Sequence, residues 1–349
     1  MNWVNHTFND FSIRLPTQQL IGNVRRESDY YGAKKNLCEY ANLSNQHYRL
    51  DHVWQHGWIR DRLLVDPAIV LTSRHANEKD QPFLVTNREQ EEFLKGHGYP
   101  MVQAVGLPII YSQVPEQELK RLPNSLLVMP MHSLETAKRK SDFDEYAKLI
   151  NDLRKEFDFV LVCLHYACIR NNFWINEFDK YNIPWIEGGN VYDQNALTRL
   201  GALFSQFEYV TTNGYGSHLP YSTYFGTKTS IYGEFPPRNP EDYIEDPFFK
   251  RFPRLLKTYF PLLQEDVIRE DLPFLFCHPK EAKKHTAWAE KELGVEYKMT
   301  RKEARKILKD DRFNQLKSST INKTRHMLSQ IVPEGVKQYY RSKASGNPR

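Results

Sequence analysis

The sequence predicts an α/β protein of two domains, each a mostly parallel sheet covered by helices, facing one another across a cleft. Three observations predict it. The chain has 349 residues, more than one ordinary domain needs and enough for two. Hydrophobic residues make up 40% of it, so both halves can bury a core. From about Asn124, apolar runs of strand length alternate with segments of helical spacing, the pattern of a parallel sheet buried on both faces.

The first domain is expected over 1–120. It carries strand-like runs at His52–Trp58, Ala68–Arg74, Pro82–Asn87 and Met101–Tyr111. A helix is expected over Asn87–Gly98, with Asn87 as N-cap and Gly96 or Gly98 at its end. The segment Gln113–Asn124 reads as a linker.

The second domain, 121–300, is more regular. "SLLVMPMH" (Ser125–His132) is a strand, Asp142–Phe157 a helix and "FVLVCLHY" (Phe159–Tyr166) a buried strand. A helix follows over Asn171–Asn182, a strand over Ile183–Gly189, and a helix over Asp193–Phe207. "EYVTTNG" and "KTSIYG" are the last strands, separated by a helix after Ser217. Helices that start just past strand ends gather on one rim of such a sheet, where ligands of open sheets bind.

Composition narrows the function. The net charge of +5 is modest, and much of the excess follows Thr300. The 301–349 tail reads as a basic helix that is either merely solvated or touches anionic lipid or another polyanion. Basic residues do not form a stripe with interleaved aromatics, which argues against nucleic acid. Cys38, Cys163, Cys168 and Cys277 have no metal-like spacing and read as reduced thiols. No run approaches the ~18 apolar residues of a span, and "MNWVNHTFND" does not read as a secretory signal. A cytoplasmic protein is expected, with its tail a contact to the inner membrane face.

The candidate site residues lie at strand ends. In "VTTNGYGSHLPYSTYFG" the chain breaks at Asn213-Gly214, and Gly216-Ser217-His218 opens a helix. Gly216 permits close approach, while helix-start amides, Ser217 and His218 offer donors to a phosphate; the alternative is a simple capping serine beside a surface histidine. His132-Ser133, past the first strand of the same sheet, offers a donor to phosphate or leaving group, or a histidine satisfied by a loop carbonyl. Glu187-Gly188 ends another strand, where a carboxylate suits ribose hydroxyls and a glycine suits a tight turn. His165 and Arg170 are further rim candidates.

In the first domain, His56-Gly57 follows an apolar run. Its imidazole would be a base for an acceptor hydroxyl, or a ring packed between Trp54 and Trp58. Asp51, Asp61 and Asp66 are alternative bases. His278-Pro279 with Lys280, Lys283 and Lys284 either reaches a phosphate or starts a solvated basic helix, the reading preferred. There is no GxxxxGK[ST], GxGxxG or HExxH, and no DxD pair after a strand that would hold a metal-bound diphosphate. No cofactor or metal is expected.

"WQHGW", "AVGLPIIY", "LLVMPMHS" and "VTTNGYGSHLPYSTYFGTKTSIYG" together resemble the GT-B glycosyltransferases that build bacterial surface polysaccharides, capsule and lipopolysaccharide. The layout is also similar to teichoic-acid polymerases. The resemblance implies two Rossmann-like domains, with a nucleotide-sugar donor and a glycan or lipid-linked acceptor as partners. It implies that His56-Gly57 serves the acceptor, and that His132-Ser133 and Ser217-His218 hold the nucleotide phosphate. Two departures are visible: His-Ser stands where a CMP-sugar enzyme commonly has His-Pro, and Gly-Ser-His where a Ser-Ser pair is typical. The competing readings are a CDP-polyol phosphotransferase of the teichoic-acid type and a non-catalytic subunit of a glycan-assembly complex.

Overall fold

The structure is a computed structural model and describes residues 1–24, 27–71, 77–132 and 143–311. It opens on an antiparallel hairpin, β1 (Trp3–Phe8) and β2 (Phe11–Pro16). Asn9 makes the turn at φ 49, a left-handed conformation that asparagine tolerates. Helix α1 (Ala33–Tyr40) follows.

Three short strands come next: β3 (Val53–Trp54), β4 (Phe83–Val85) and β5 (Val102–Ala104). They pair in parallel in the order β3-β4-β5. Between them lie α2 (Pro67–Val70) and α3 (Arg88–Gly96). The expected cap of α3 is present: the Asn87 carboxamide oxygen accepts from the Gln90 amide at 3.0 Å. Gly98 follows at φ +84.

Where a strand is expected over Ala68–Arg74, residues 67–70 are helical, and 72–76 lie outside the described residues. The reason is local. Pro67 pre-sets a helical φ in the first turn, and the Asp66 carboxylate accepts from the Ala68 amide at 2.9 Å. The cap outweighs the β-branched run that follows it. The strand expected through Tyr111 stops at Ala104, because Gly106 takes φ +77 and Pro108–Tyr111 coils into a 3-10 turn.

The rest of the frame is a five-stranded sheet: β6 (Leu122–Val128), β7 (Phe159–Leu164), β8 (Trp185–Glu187), β9 (Phe207–Thr212) and β10 (Lys228–Ile231). Its order is β10-β9-β6-β7-β8, and every neighbouring pair is parallel. All six side chains of β7, "FVLVCL", are buried, as expected of a strand covered on both faces. The crossovers carry α4 (Phe143–Leu153), α5 (Tyr166–Arg170), α6 (Ile175–Lys180), α7 (Ala196–Gln206) and α8 (His218–Tyr224). The helix expected over Asn171–Asn182 forms only at α6 (Ile175–Lys180), and a separate short helix, α5, precedes it. Asn172 and Trp174, with φ of 54 and 74, break the helical path between them.

One apolar cluster joins Trp54 and Leu84 of the small sheet to Leu127, Leu161 and Val210 of the large one. Burial of each such large side chain contributes about 1.5–3 kcal/mol. The cover of each sheet also mixes the two halves of the chain. Phe11 of the hairpin stacks on Phe159 of β7 at 4.8 Å, while Tyr243, Phe249, Leu255 and Phe260 cluster with Val53 and Phe83. Residues 301–311 are helical. Asp311 accepts from the Asp51 amide at 2.7 Å and pairs with the His52 imidazole at 2.9 Å. The rest of the expected basic tail lies outside the described residues.

Gly32 is a backbone crossing point. It sits at φ +78, and a Cβ there would collide with the Gln194 carbonyl. Gly32→Ala is expected to destabilise the fold by more than about 2 kcal/mol, read as a lowered urea midpoint. A midpoint equal to wild type would show that this crossing relaxes freely.

Candidate functional site

Chain order and sheet order together locate the site. The chain runs from β6 outward through β7 to β8, returns to place β9 beside β6, and continues to β10. The connections after β6 and β9 therefore leave in opposite directions and open a crevice at the carboxyl ends of these strands. That reversal is where open α/β sheets bind ligands.

The crevice is braced by its own polar groups. The buried Asn213 carboxamide, past β9, accepts from the Met131 amide, past β6, at 2.9 Å. Arg238 donates to the Tyr215 carbonyl at 3.0 Å, and the same nitrogen lies 3.6 Å from the Met131 sulfur. The loop after β3 meets the crevice from the other sheet. Its Trp58 amide donates to the Ser217 hydroxyl at 2.9 Å, and the Tyr221 hydroxyl of α8 donates to the His56 carbonyl at 3.2 Å.

Two cavities share this junction. The larger, about 590 Å³, is lined by Tyr30, Tyr31, His56, Gly57, His132, His165, Ser217, His218 and Tyr221, among others. The second, about 470 Å³, is lined by Glu27, Arg238 and Asp246 and by an aromatic wall that includes Tyr243, Phe249 and Tyr259. Tyr30, His56, His132 and Asp246 line both.

Four imidazoles thus surround one space. The His132 and His165 rings stack with centroids 4.4 Å apart, and His56 meets Tyr30 edge-on at 5.5 Å. Burial pushes His56 down to about 4. Burial, then the neighbouring His132, pushes His218 down to about 3 and holds His165 well below the usual histidine range. All three are neutral at pH 7. The Nδ1 of His165 accepts from the Ala167 amide at 3.3 Å, which leaves the proton on Nε2, 3.4 Å from the Tyr31 hydroxyl. Among the described residues, the Nδ1 of His56 and the Nε2 of His218 are buried without a hydrogen bond.

The candidates from the sequence divide clearly. His56, Gly57, His132, His165, Ser217 and His218 line the larger cavity. His218 is half-buried there rather than on the surface. Ser217 does not cap α8 with its side chain; its hydroxyl instead ties the two sheets' loops together. Gly216 adjoins the His218 ring, and Asn213 braces the crevice floor. Glu187 and Gly188 do not line either cavity. The Glu187 carboxylate accepts from Asn190 at 2.8 Å, and Gly188 is small because a Cβ would strike the Cys163 sulfur. Asp61 lies on an exposed 3-10 turn, 3.3 Å from the Asn87 amide nitrogen, and Asp66 is occupied by α2 and Arg254. Ser133 lies outside the described residues.

Tyr30, Tyr31, Arg238 and Asp246 were not legible as site residues. Arg238 and Asp246 follow β10 in "EFPPRNPEDYIED", a proline-rich stretch without periodicity, so no strand end points to them. Among the described residues no three His, Cys, Asp or Glu side chains are grouped to hold a metal ion, and no helix is long and apolar enough to cross a membrane. No protein-family model matches the chain, and no curated protein sequence matches it.

Proposed function

We propose that the protein is a glycosyltransferase of GT-B type. It would move a sugar from a nucleotide donor to a hydroxyl of a surface glycan or lipid-linked acceptor, at the cytoplasmic face of the membrane. One observation carries the reading: the ends of β3, β6 and β9 bring His56-Gly57, His132 and Ser217-His218 around a single cavity at the switch point of the large sheet. A nucleotide-sized ligand suits a cavity of this volume.

In this reading the acceptor oxygen bonds to the anomeric carbon of the donor sugar. The bond from that carbon to the phosphate oxygen breaks, and the nucleotide leaves with the electron pair. The acceptor proton passes to the imidazole of His56, which lines the cavity and is neutral at pH 7. His132 and His218 face the departing phosphate. Holding the two substrates across the junction supplies further rate.

A thermal-shift screen with UDP, GDP, CDP, CMP and TDP tests the reading. A ligand at a hundred times its Kd adds about 2.7 kcal/mol to stability, or roughly 2–4 °C in Tm for a chain of this size. One nucleotide is expected to raise Tm by that amount. No response to any of the five at millimolar concentration would remove the nucleotide donor.

A further inference from the structure

We propose that Arg238 is the anion anchor of this site and pairs with the phosphate of the bound nucleotide. The proposal rests on the reading of the cavity as a nucleotide-sugar site and adds to it a residue and a charge. Among the described residues no lysine or arginine lines the larger cavity, and three of its four histidines, His56, His165 and His218, are neutral at pH 7. A phosphate draws a permanent counter-charge, and none of the described residues lining this cavity carries one. Arg238 lines the adjoining cavity, together with His56 and His132, which line both.

The placement of Arg238 is specific. One guanidinium nitrogen holds the Tyr215 carbonyl past β9 and lies against Met131 past β6. The cation is therefore seated across the two connections that diverge at the switch point. Its backbone carbonyl accepts from Gln264 at 2.9 Å, which fixes the segment that carries it. Among the described residues its Nε is buried without a hydrogen bond, and Arg238 makes no ion pair. A half-buried cation of this kind is costly unless an anion completes it, and a guanidinium presents a fork that matches phosphate.

Glu27 and Asp246 line the same cavity. The Asp246 carboxylate is engaged as a helix cap, accepting from the Phe248 amide at 2.8 Å, so part of its charge is offset there. Among the described residues the Arg238 guanidinium is engaged at one nitrogen only, by the Tyr215 carbonyl.

The test measures binding of inorganic pyrophosphate and of the five nucleotides by calorimetry to the full chain and to Arg238→Gln and Arg238→Lys. Arg238→Gln is expected to weaken pyrophosphate and nucleotide binding at least tenfold, with Arg238→Lys in between. A parallel experiment uses unsubstituted protein, so it does not depend on a variant folding. Pyrophosphate is expected to protect Arg238 from phenylglyoxal, read by peptide mass spectrometry. Nucleotide binding unchanged in Arg238→Gln, or Arg238 modified equally with and without pyrophosphate, overturns the proposal and leaves the donor reading standing. Pyrophosphate binding lost in Arg238→Gln, with no nucleotide bound by wild type, supports the anion anchor and removes the donor reading. No binding of either ligand removes both.

Discussion

His56→Ala is expected to slow sugar transfer by about 10²–10⁴-fold, the usual contribution of a positioned general base, with donor binding changed little. His56 lines both cavities, so its ring stands where the two substrates would meet. The ring is held edge-on by Tyr30, and its loop is tied down through the Trp58 amide on Ser217 and the His56 carbonyl on Tyr221. These ties are backbone contacts of the loop and survive loss of the imidazole. The measurement is initial rates at saturating donor, with donor affinity determined separately. A rate within threefold of wild type would eliminate His56 as the base and move attention to Asp246 across the junction.

The pH profile makes the same assignment independently. A base must be unprotonated to act. With His56 pushed down to about 4 in the free site, kcat/KM should hold as pH falls through 6.5 and decline only near 4. A bound anionic donor favours imidazolium and raises this value in the complex. The decline of kcat is therefore expected at higher pH than that of kcat/KM, since the two report the complex and the free protein respectively.

The second large effect is on stability. His56, His165 and His218 are neutral in the folded protein because burial depresses them. On unfolding each returns to an ordinary value of roughly 6.5 and takes up a proton below it. The unfolded chain then binds more protons, so stability falls as pH falls from about 6.5 toward the folded values near 4 and 3. By pH 5 the loss is on the order of 1–2 kcal/mol each for His56 and His218, after allowing for solvent at the cavity mouth.

Urea titrations at pH 7.5, 6 and 5 test this. Carboxylates with raised values, such as Asp193 and Glu292, act in the opposite sense, so the difference from His218→Gln isolates one imidazole. The variant should lose less stability than wild type between pH 7.5 and 5. Parallel pH curves for the two proteins would show that His218 is solvated rather than buried.

The sequence by itself determined the large sheet. The run "FVLVCL" is apolar on both faces, and only a strand covered by helices on both sides removes it from water. The sequence also determined that His56, His132 and Ser217-His218 sit at strand ends, because strand length and the turn residues that follow are local properties. The same local reasoning failed at Ala68, where the Asp66-Pro67 cap competed with an apolar run. At Gly188 the sequence left a tight turn and a ligand contact side by side, and the structure shows that a Cβ there would strike the Cys163 sulfur.

Only the tertiary structure decided which strand ends meet. Placing β9 beside β6, and the β3 loop against Ser217, depends on contacts between residues more than 80 and 150 positions apart. No periodicity encodes them. Arg238 and Asp246 come from an irregular segment after β10 whose path is set by packing its aromatic neighbours on the small sheet. Their role is a consequence of where that segment must go to bury Tyr243, Phe249 and Phe260, a demand of the folded core that no short window of sequence expresses.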